Sequence, residues 1–187
     1  MGAPLPSYLP RFPHIPAGFR KGRSVQEGYQ RGWGLEFGEL AARVAEDLDY
    51  RAALSAAEGR TMVATPRLMN LFLILKFFAP ALPPGHIVEY GSYRGGSALF
   101  MATIAARLLP GTRVLALDTY AGMPPTDAAI DAHRSGDFAD AGLDALHERG
   151  RALGLVNIDF IKGAFADAAP GTLRAAGAMR LAHVDCD

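Results

Sequence analysis

Four acidic residues stand at or just beyond the ends of short apolar runs: Glu89, Asp118, Asp167 and Asp185. Between the first two lies Gly91-Ser92-Tyr93-Arg94-Gly95-Gly96-Ser97, a glycine-rich turn followed by the apolar Ala98-Leu99-Phe100. A backbone that turns sharply from strand to helix leaves amide N–H groups pointing outward at the helix N-terminus. With the helix dipole behind them, they make a site for an anionic or polar ligand. The glycine spacing fits neither G-x-G-x-x-G nor G-x-x-x-x-G-K-[ST], so the turn is not patterned for a dinucleotide or a nucleoside triphosphate. Asp118 is placed to accept hydrogen bonds from ribose hydroxyls, as acidic residues at this position do in nucleotide folds.

Other residues have two readings. His183, Asp185 and Asp187 alternate and would share one face of a strand, either as a metal triad or as a hydrogen-bonded histidine beside two loop acids. For His183 the second reading is preferred. Arg94 could meet a ligand carboxylate or Glu89. His133 and Asp137 fall in a long loop after Asp118, where a lid or plain solvated residues are expected. Cys186 lies between two acids that would raise its pKa, which argues against a nucleophile. Trp33, with Tyr29 and Phe37 at helical spacing, reads as packing.

The elements that must hold these residues alternate. Residues 86–90, 113–118, 158–162 and 180–185 read as strands; residues 97–109, 143–153 and 170–176 read as helices. Such alternation predicts an α/β fold: a Rossmann-like, doubly wound parallel sheet with helices on both faces. Right-handed crossovers place the first strand centrally, strands two and three on one side and strand four on the other. Ligands then bind outside the carboxyl ends of the strands, where the acidic tips converge. Ahead of the sheet, residues 35–58 have helical spacing, and Thr65-Pro66 offers an N-cap and first-turn proline for a helix through Phe78. Residues 1–24 are proline-rich and read as an irregular arm. The expected organisation is an arm and helical extension over 1–60 and the N-terminal portion of a larger domain over 61–187, since the chain stops at a strand tip with the sheet incomplete on its C-terminal side.

Bulk composition narrows the class. Of 187 residues 50% are hydrophobic, which suits a folded domain with a sizeable core. Nineteen Lys plus Arg balance nineteen Asp plus Glu, so nothing in the charge favours a nucleic-acid partner. The most apolar stretch, residues 68–82, carries Asn70 and Lys76 and is too short to span a bilayer, so no membrane partner is expected. A single cysteine excludes an intramolecular disulfide and fits a reducing compartment, hence a cytoplasmic location. The arm and the open sheet edge leave room for a homo-oligomer.

Glu89, Gly91 and Gly95 form E-x-G-x-x-x-G, an arrangement used by S-adenosylmethionine enzymes. The longer string is more specific. Residues 60–62, 67–71, 88–97, Asp118-Thr119-Tyr120-Ala121-Gly122-Met123-Pro124, Gly136-Asp137-Phe138, 157–167 and His183-Val184-Asp185-Cys186-Asp187 together resemble the TylF-type (macrocin O-methyltransferase) family of class I S-adenosylmethionine-dependent methyltransferases. The resemblance implies that Glu89, Gly91, Ser92, Arg94, Gly95, Gly96 and Ser97 hold the methionine end of S-adenosyl-L-methionine. It implies that Asp118 holds the ribose and that Gly163, Ala164 and Phe165 line the adenine pocket. Asp185 matches the first ligand of a divalent metal, usually magnesium (Mg2+), and Asp187 a general base. The implied reaction is metal-assisted methyl transfer to a hydroxyl of a sugar or other small-molecule metabolite. A second reading is a truncated, catalytically silent domain that binds a ligand or partner. A third, a nicotinamide-dependent enzyme, is disfavoured by the glycine spacing.

Overall fold

The computed structural model describes residues 40–127 and 133–186. It opens with α1 (Leu40–Glu46) and α2 (Leu48–Ala57), where the sequence predicts one continuous helix. Asp47 makes the break. Its extended backbone lets the carboxylate accept the amides of Asp49 and Tyr50, which caps α2. Helix α3 (Thr65–Leu73) has Pro66 in its first turn, but Ala64 rather than Thr65 takes the cap position. The apolar run continues as a π turn (Ile74–Phe78) and a 3-10 turn (Ala79–Ala81).

Strands and helices then alternate: β1 (His86–Tyr90), α4 (Gly96–Leu108), β2 (Val114–Asp118), α5 (Leu143–Ala152), β3 (Ile158–Lys162), α6 (Phe165–Ala176) and β4 (Met179–Val184). All pairings are parallel and the order is β3-β2-β1-β4, as the crossover rule predicts. The chain runs one way from β1 to β3 and returns to the opposite side for β4, so the order reverses beside β1. A crevice at the carboxyl ends is the geometric consequence.

Both faces of the central strands are covered, because residues alternate between them. Ile87, Val114, Ala116 and Phe160 face the larger core, with residues from α2 to α5. Val88, Leu115 and Leu117 face a smaller core under α6. Tyr50 of α2 meets Phe72 and Phe100 edge to face, with ring centroids 5.4 and 5.8 Å apart. The helices of residues 40–57, expected as an extension ahead of the domain, thus share the core of the sheet. Helix α6 begins five residues earlier than predicted and takes Pro170 inside it. A proline there forfeits one helical hydrogen bond. Phe165, Ala169, Leu173 and Ala176, at spacings of three and four, still place one apolar face on the sheet. Strand β4 pairs with β1 alone among the described residues, and none of its residues is fully buried.

Candidate functional site

The glycine turn joins β1 to α4 through two left-handed glycines, Gly91 (φ 85°) and Gly95 (φ 71°), conformations that favour glycine. Each of its three glycines is also fixed by a close neighbour. A Cβ on Gly91 would lie 2.5 Å from the carbonyl oxygen of Asp185, and one on Gly95 2.7 Å from Leu146 Cδ2. A Cβ on Gly96 would lie 2.4 Å from the backbone nitrogen of Thr61. The turn is therefore seated against the end of β4, against α5 and against the segment between α2 and α3. Helix α4 has no side-chain N-cap, so its first amides keep their donor capacity toward the crevice.

Side chains stitch this turn to the exit of β2. Asp118 accepts the amide of Tyr93 at 2.8 Å through one carboxylate oxygen and the amide of Tyr120 at 2.8 Å through the other. The Tyr120 hydroxyl lies 2.7 Å from Ser92 Oγ and 3.1 Å from the carbonyl of Ala116. Burial raises the Tyr120 pKa strongly, so the phenol remains protonated. Both Tyr93 (φ 48°) and Tyr120 (φ 47°) adopt the left-handed region, a conformation held in place by these bonds.

Above the stitched loops lies a cavity of about 700 Å³ at the carboxyl edge of the sheet. That volume suits a small molecule or cofactor. Seven of the residues expected from sequence line it: Gly91, Ser92, Ser97, Asp118, Ala164, Phe165 and Asp185. Others stand elsewhere. Glu89 is fully buried beneath the turn, with Oε1 2.9 Å from His183 Nδ1 in the neighbouring strand. Its Oε2 has no hydrogen-bond partner among the described residues. Arg94 turns away to pair with Asp140, which also accepts the Tyr93 hydroxyl at 2.5 Å. Of the two expectations for Arg94, the pairing with Glu89 is not what the structure shows: the Arg94 guanidinium lies on Asp140 at the surface. Gly95 and Gly96 pack closely on Leu146 and Thr61, a Cβ on Gly163 would press on Ala168 at the start of α6, and none of the three lines the cavity. Asp167 lies exposed in the first turn of α6, outside the cavity. Asp187 lies outside the described residues.

His183 is a hydrogen-bonded strand histidine. Burial alone would lower its pKa, but the bond to and charge of Glu89, with Asp185 beyond, hold it above the ordinary histidine value. Asp185 faces Arg67 at 3.9 Å. Among the described residues no three His, Cys, Asp or Glu side chains gather into a cation site. One carboxylate facing a guanidinium does not fit magnesium, which needs a fuller oxygen shell.

The cavity also takes Arg60, Thr61, Met62, Val63 and Arg67 from the segment around the start of α3, and Met123 and Phe138 from the long loop after β2. No spacing in the sequence ties these segments to the glycine turn. Their sequence signal is the family resemblance, whose string includes residues 60–62, Arg67, Met123 and Phe138; the seating of Arg60 and Thr61 against Gly96 is visible only in three dimensions. The residues present fit S-adenosylmethionine: backbone of the glycine turn at the cavity wall, amides at the start of α4, a carboxylate at Asp118 and an aromatic at Phe165.

Comparison with known proteins agrees with this architecture. The O-methyltransferase NovP superposes with a TM-score of 0.57 at 23% identity, over 78% of this chain and 68% of that one. CalS11, a calicheamicin methyltransferase, gives a TM-score of 0.51 at 18% identity, over 87% and 68%. At these identities the likeness concerns the fold, a class I methyltransferase fold. A Streptomyces olivaceus protein named 8-demethyl-8-(2,3-dimethoxy-alpha-L-rhamnosyl)-tetracenomycin-C 4'-O-methyltransferase is 32% identical over 121 residues, 59% of this chain. The chain spans about half the length of that relative, 46%. No helix among the described residues is long and apolar enough to cross a membrane. The family model described as macrocin-O-methyltransferase (TylF) matches residues 39–187, and the chain belongs to that family.

Proposed function

We propose that this chain carries the cofactor half of an S-adenosylmethionine-dependent O-methyltransferase. The observation that carries this reading is the cavity at the carboxyl edge, where the glycine turn and Asp118 meet on one wall. When bound, S-adenosylmethionine supplies an electrophilic methyl group on a sulfonium. Gly91 lets the turn close against the end of β4 at the cavity wall, and the α4 amides with Ser97 offer donors to the ligand's carboxylate. Asp118 offers its remaining lone pairs to ribose hydroxyls, and Ala164 and Phe165 form an apolar wall for the adenine.

The acceptor we infer is a hydroxyl of a sugar or other small metabolite. The name of the Streptomyces olivaceus relative, a 4'-O-methyltransferase for a rhamnosyl-tetracenomycin, supports a sugar. Asp187, two residues beyond the cavity-lining Asp185, is the proposed general base for that hydroxyl. Calorimetric titration with S-adenosylmethionine and S-adenosylhomocysteine tests the cofactor assignment: one site per chain is expected for each. Absence of binding by both would overturn it.

A further inference from the structure

Tyr120 belongs to the stitched loops but does not line the cavity. It is 6% exposed, occupies a left-handed backbone position at φ 47°, and points its hydroxyl back under the glycine turn. Two oxygens surround that hydroxyl: Ser92 Oγ at 2.7 Å and the Ala116 carbonyl at 3.1 Å. A carbonyl can only accept, and a phenol has one proton. If Tyr120 gave that proton to Ser92, two acceptor oxygens would face each other at 3.1 Å in a buried site. Such an unsatisfied contact is costly away from water. The arrangement that satisfies every atom is a directed chain: Ser92 donates to Tyr120, and Tyr120 donates to Ala116. Burial keeps the phenol protonated, so the chain does not reverse through ionisation.

This direction fixes what Ser92 offers on its other side. Ser92 is 4% exposed and lines the cavity. With its one proton committed, its oxygen has only lone pairs left for a ligand. We propose that Tyr120 is a positioning residue that makes Ser92 a fixed hydrogen-bond acceptor for the ammonium group at the amino-acid end of the cofactor. The inference rests on the S-adenosylmethionine reading above. It assigns the turn two polarities: acceptor at Ser92 and donor at the start of α4, matched to the two charges of an amino acid.

The test is calorimetric binding of S-adenosylhomocysteine and of its analogue lacking the α-amino group, to the wild-type chain and to Tyr120→Phe, Ser92→Ala and the double variant. Tyr120→Phe removes one oxygen and keeps the ring. Ser92 keeps its lone pairs but loses the partner that fixes its proton, so S-adenosylhomocysteine binding should weaken about 3-fold, while the deaminated analogue binds nearly as before. Ser92→Ala removes the acceptor and should show the larger selective loss, about 10-fold, and the double variant no further loss, since Tyr120 acts only through Ser92. Should Tyr120→Phe not fold, the selective loss in Ser92→Ala carries the test. Unchanged S-adenosylhomocysteine affinity in the variants, or equal weakening for both ligands, would overturn the proposal while leaving the cofactor reading intact. Wild-type protein that binds neither ligand would overturn the cofactor reading, and the proposal with it.

Discussion

The amide of Tyr93 donates to Asp118 Oδ2 at 2.8 Å, which ties the glycine turn after β1 to the tip of β2. The same carboxylate takes the Tyr120 amide on its other oxygen. Asp118 therefore assembles the two loops before any ligand arrives, and a ribose would use lone pairs that these amides leave over.

Asp118→Ala strands two backbone donors. The unfolding free energy should fall by about 1–3 kcal/mol, and S-adenosylhomocysteine binding should weaken as well. Asp118→Asn keeps one acceptor oxygen but turns an NH2 group toward the second amide, so its stability should lie between alanine and wild type. Urea unfolding measured beside calorimetry separates the two roles. An alanine variant with wild-type stability would contradict the stitching.

Much of the frame was legible in the sequence because its signals are local. The spans of β1 and β3 follow directly from apolar runs bounded by polar and glycine residues. The strand order follows from one handedness rule. What was not legible depends on distant partners. Arg94 reads as a partner for a ligand or Glu89, and nothing near it in sequence points to Asp140, 46 positions away, on which it lies. Gly96 reads as part of a ligand-binding turn, and no local signal announces Thr61 against it. The break at Asp47 is hidden for another reason: several acids along the 35–58 pattern could cap a helix, and spacing does not choose among them.

Two glycine substitutions should move stability in opposite directions. Gly96→Ala drives a methyl into the backbone of Arg60 and Thr61, at 2.6 and 2.4 Å, where no flexible side chain can yield. A loss of about 1–3 kcal/mol is expected, as for other overpacked sites. Because residues 60–63 line the cavity, cofactor binding should weaken too. Gly171 in α6 has nothing within 4 Å of an added Cβ, so Gly171→Ala should stabilise by about 0.5–1 kcal/mol through helix propensity. Denaturant midpoints of the two variants give the comparison, and equal shifts of one sign would count against it.

Asp47, Asp49 and Lys76 form a cluster in which Lys76 Nζ lies 2.6 and 3.0 Å from the two carboxylates. Burial on its own would raise the Asp47 pKa, yet the Lys76 bond and charge with the Asp49 and Tyr50 amides bring it below the usual value. Asp49 is lowered first by Arg107 and then by Lys76. A depressed carboxyl pKa adds stability above the unfolded value near 3.8, and that stability is lost as pH falls through the folded value. The Lys76 pKa is raised, chiefly by its bond to Asp47. Its contribution is complete below 10.5 and disappears as pH climbs through the folded value. Lys76→Met should therefore lower stability at neutral pH and flatten the acid limb below about pH 5. Urea midpoints recorded from acid to neutral pH would show the two curves converging; parallel curves would argue that the cluster adds nothing pH-dependent.

Tyr50 offers the opposite case, a polar atom whose removal should help. The residue is 2% exposed, and its hydroxyl has no hydrogen-bond partner among the described residues. Its stabilising contacts belong to the ring, which meets Phe72 and Phe100 edge to face. Tyr50→Phe retains both ring contacts and relieves the cost of an unpaired buried hydroxyl, about 1–3 kcal/mol in comparable sites. The variant should be at least as stable as wild type, with the gain read as a higher urea midpoint at unchanged slope. A clear loss of stability would mean that the hydroxyl has a partner in the folded chain, and a structure of the variant would locate the group left unpaired.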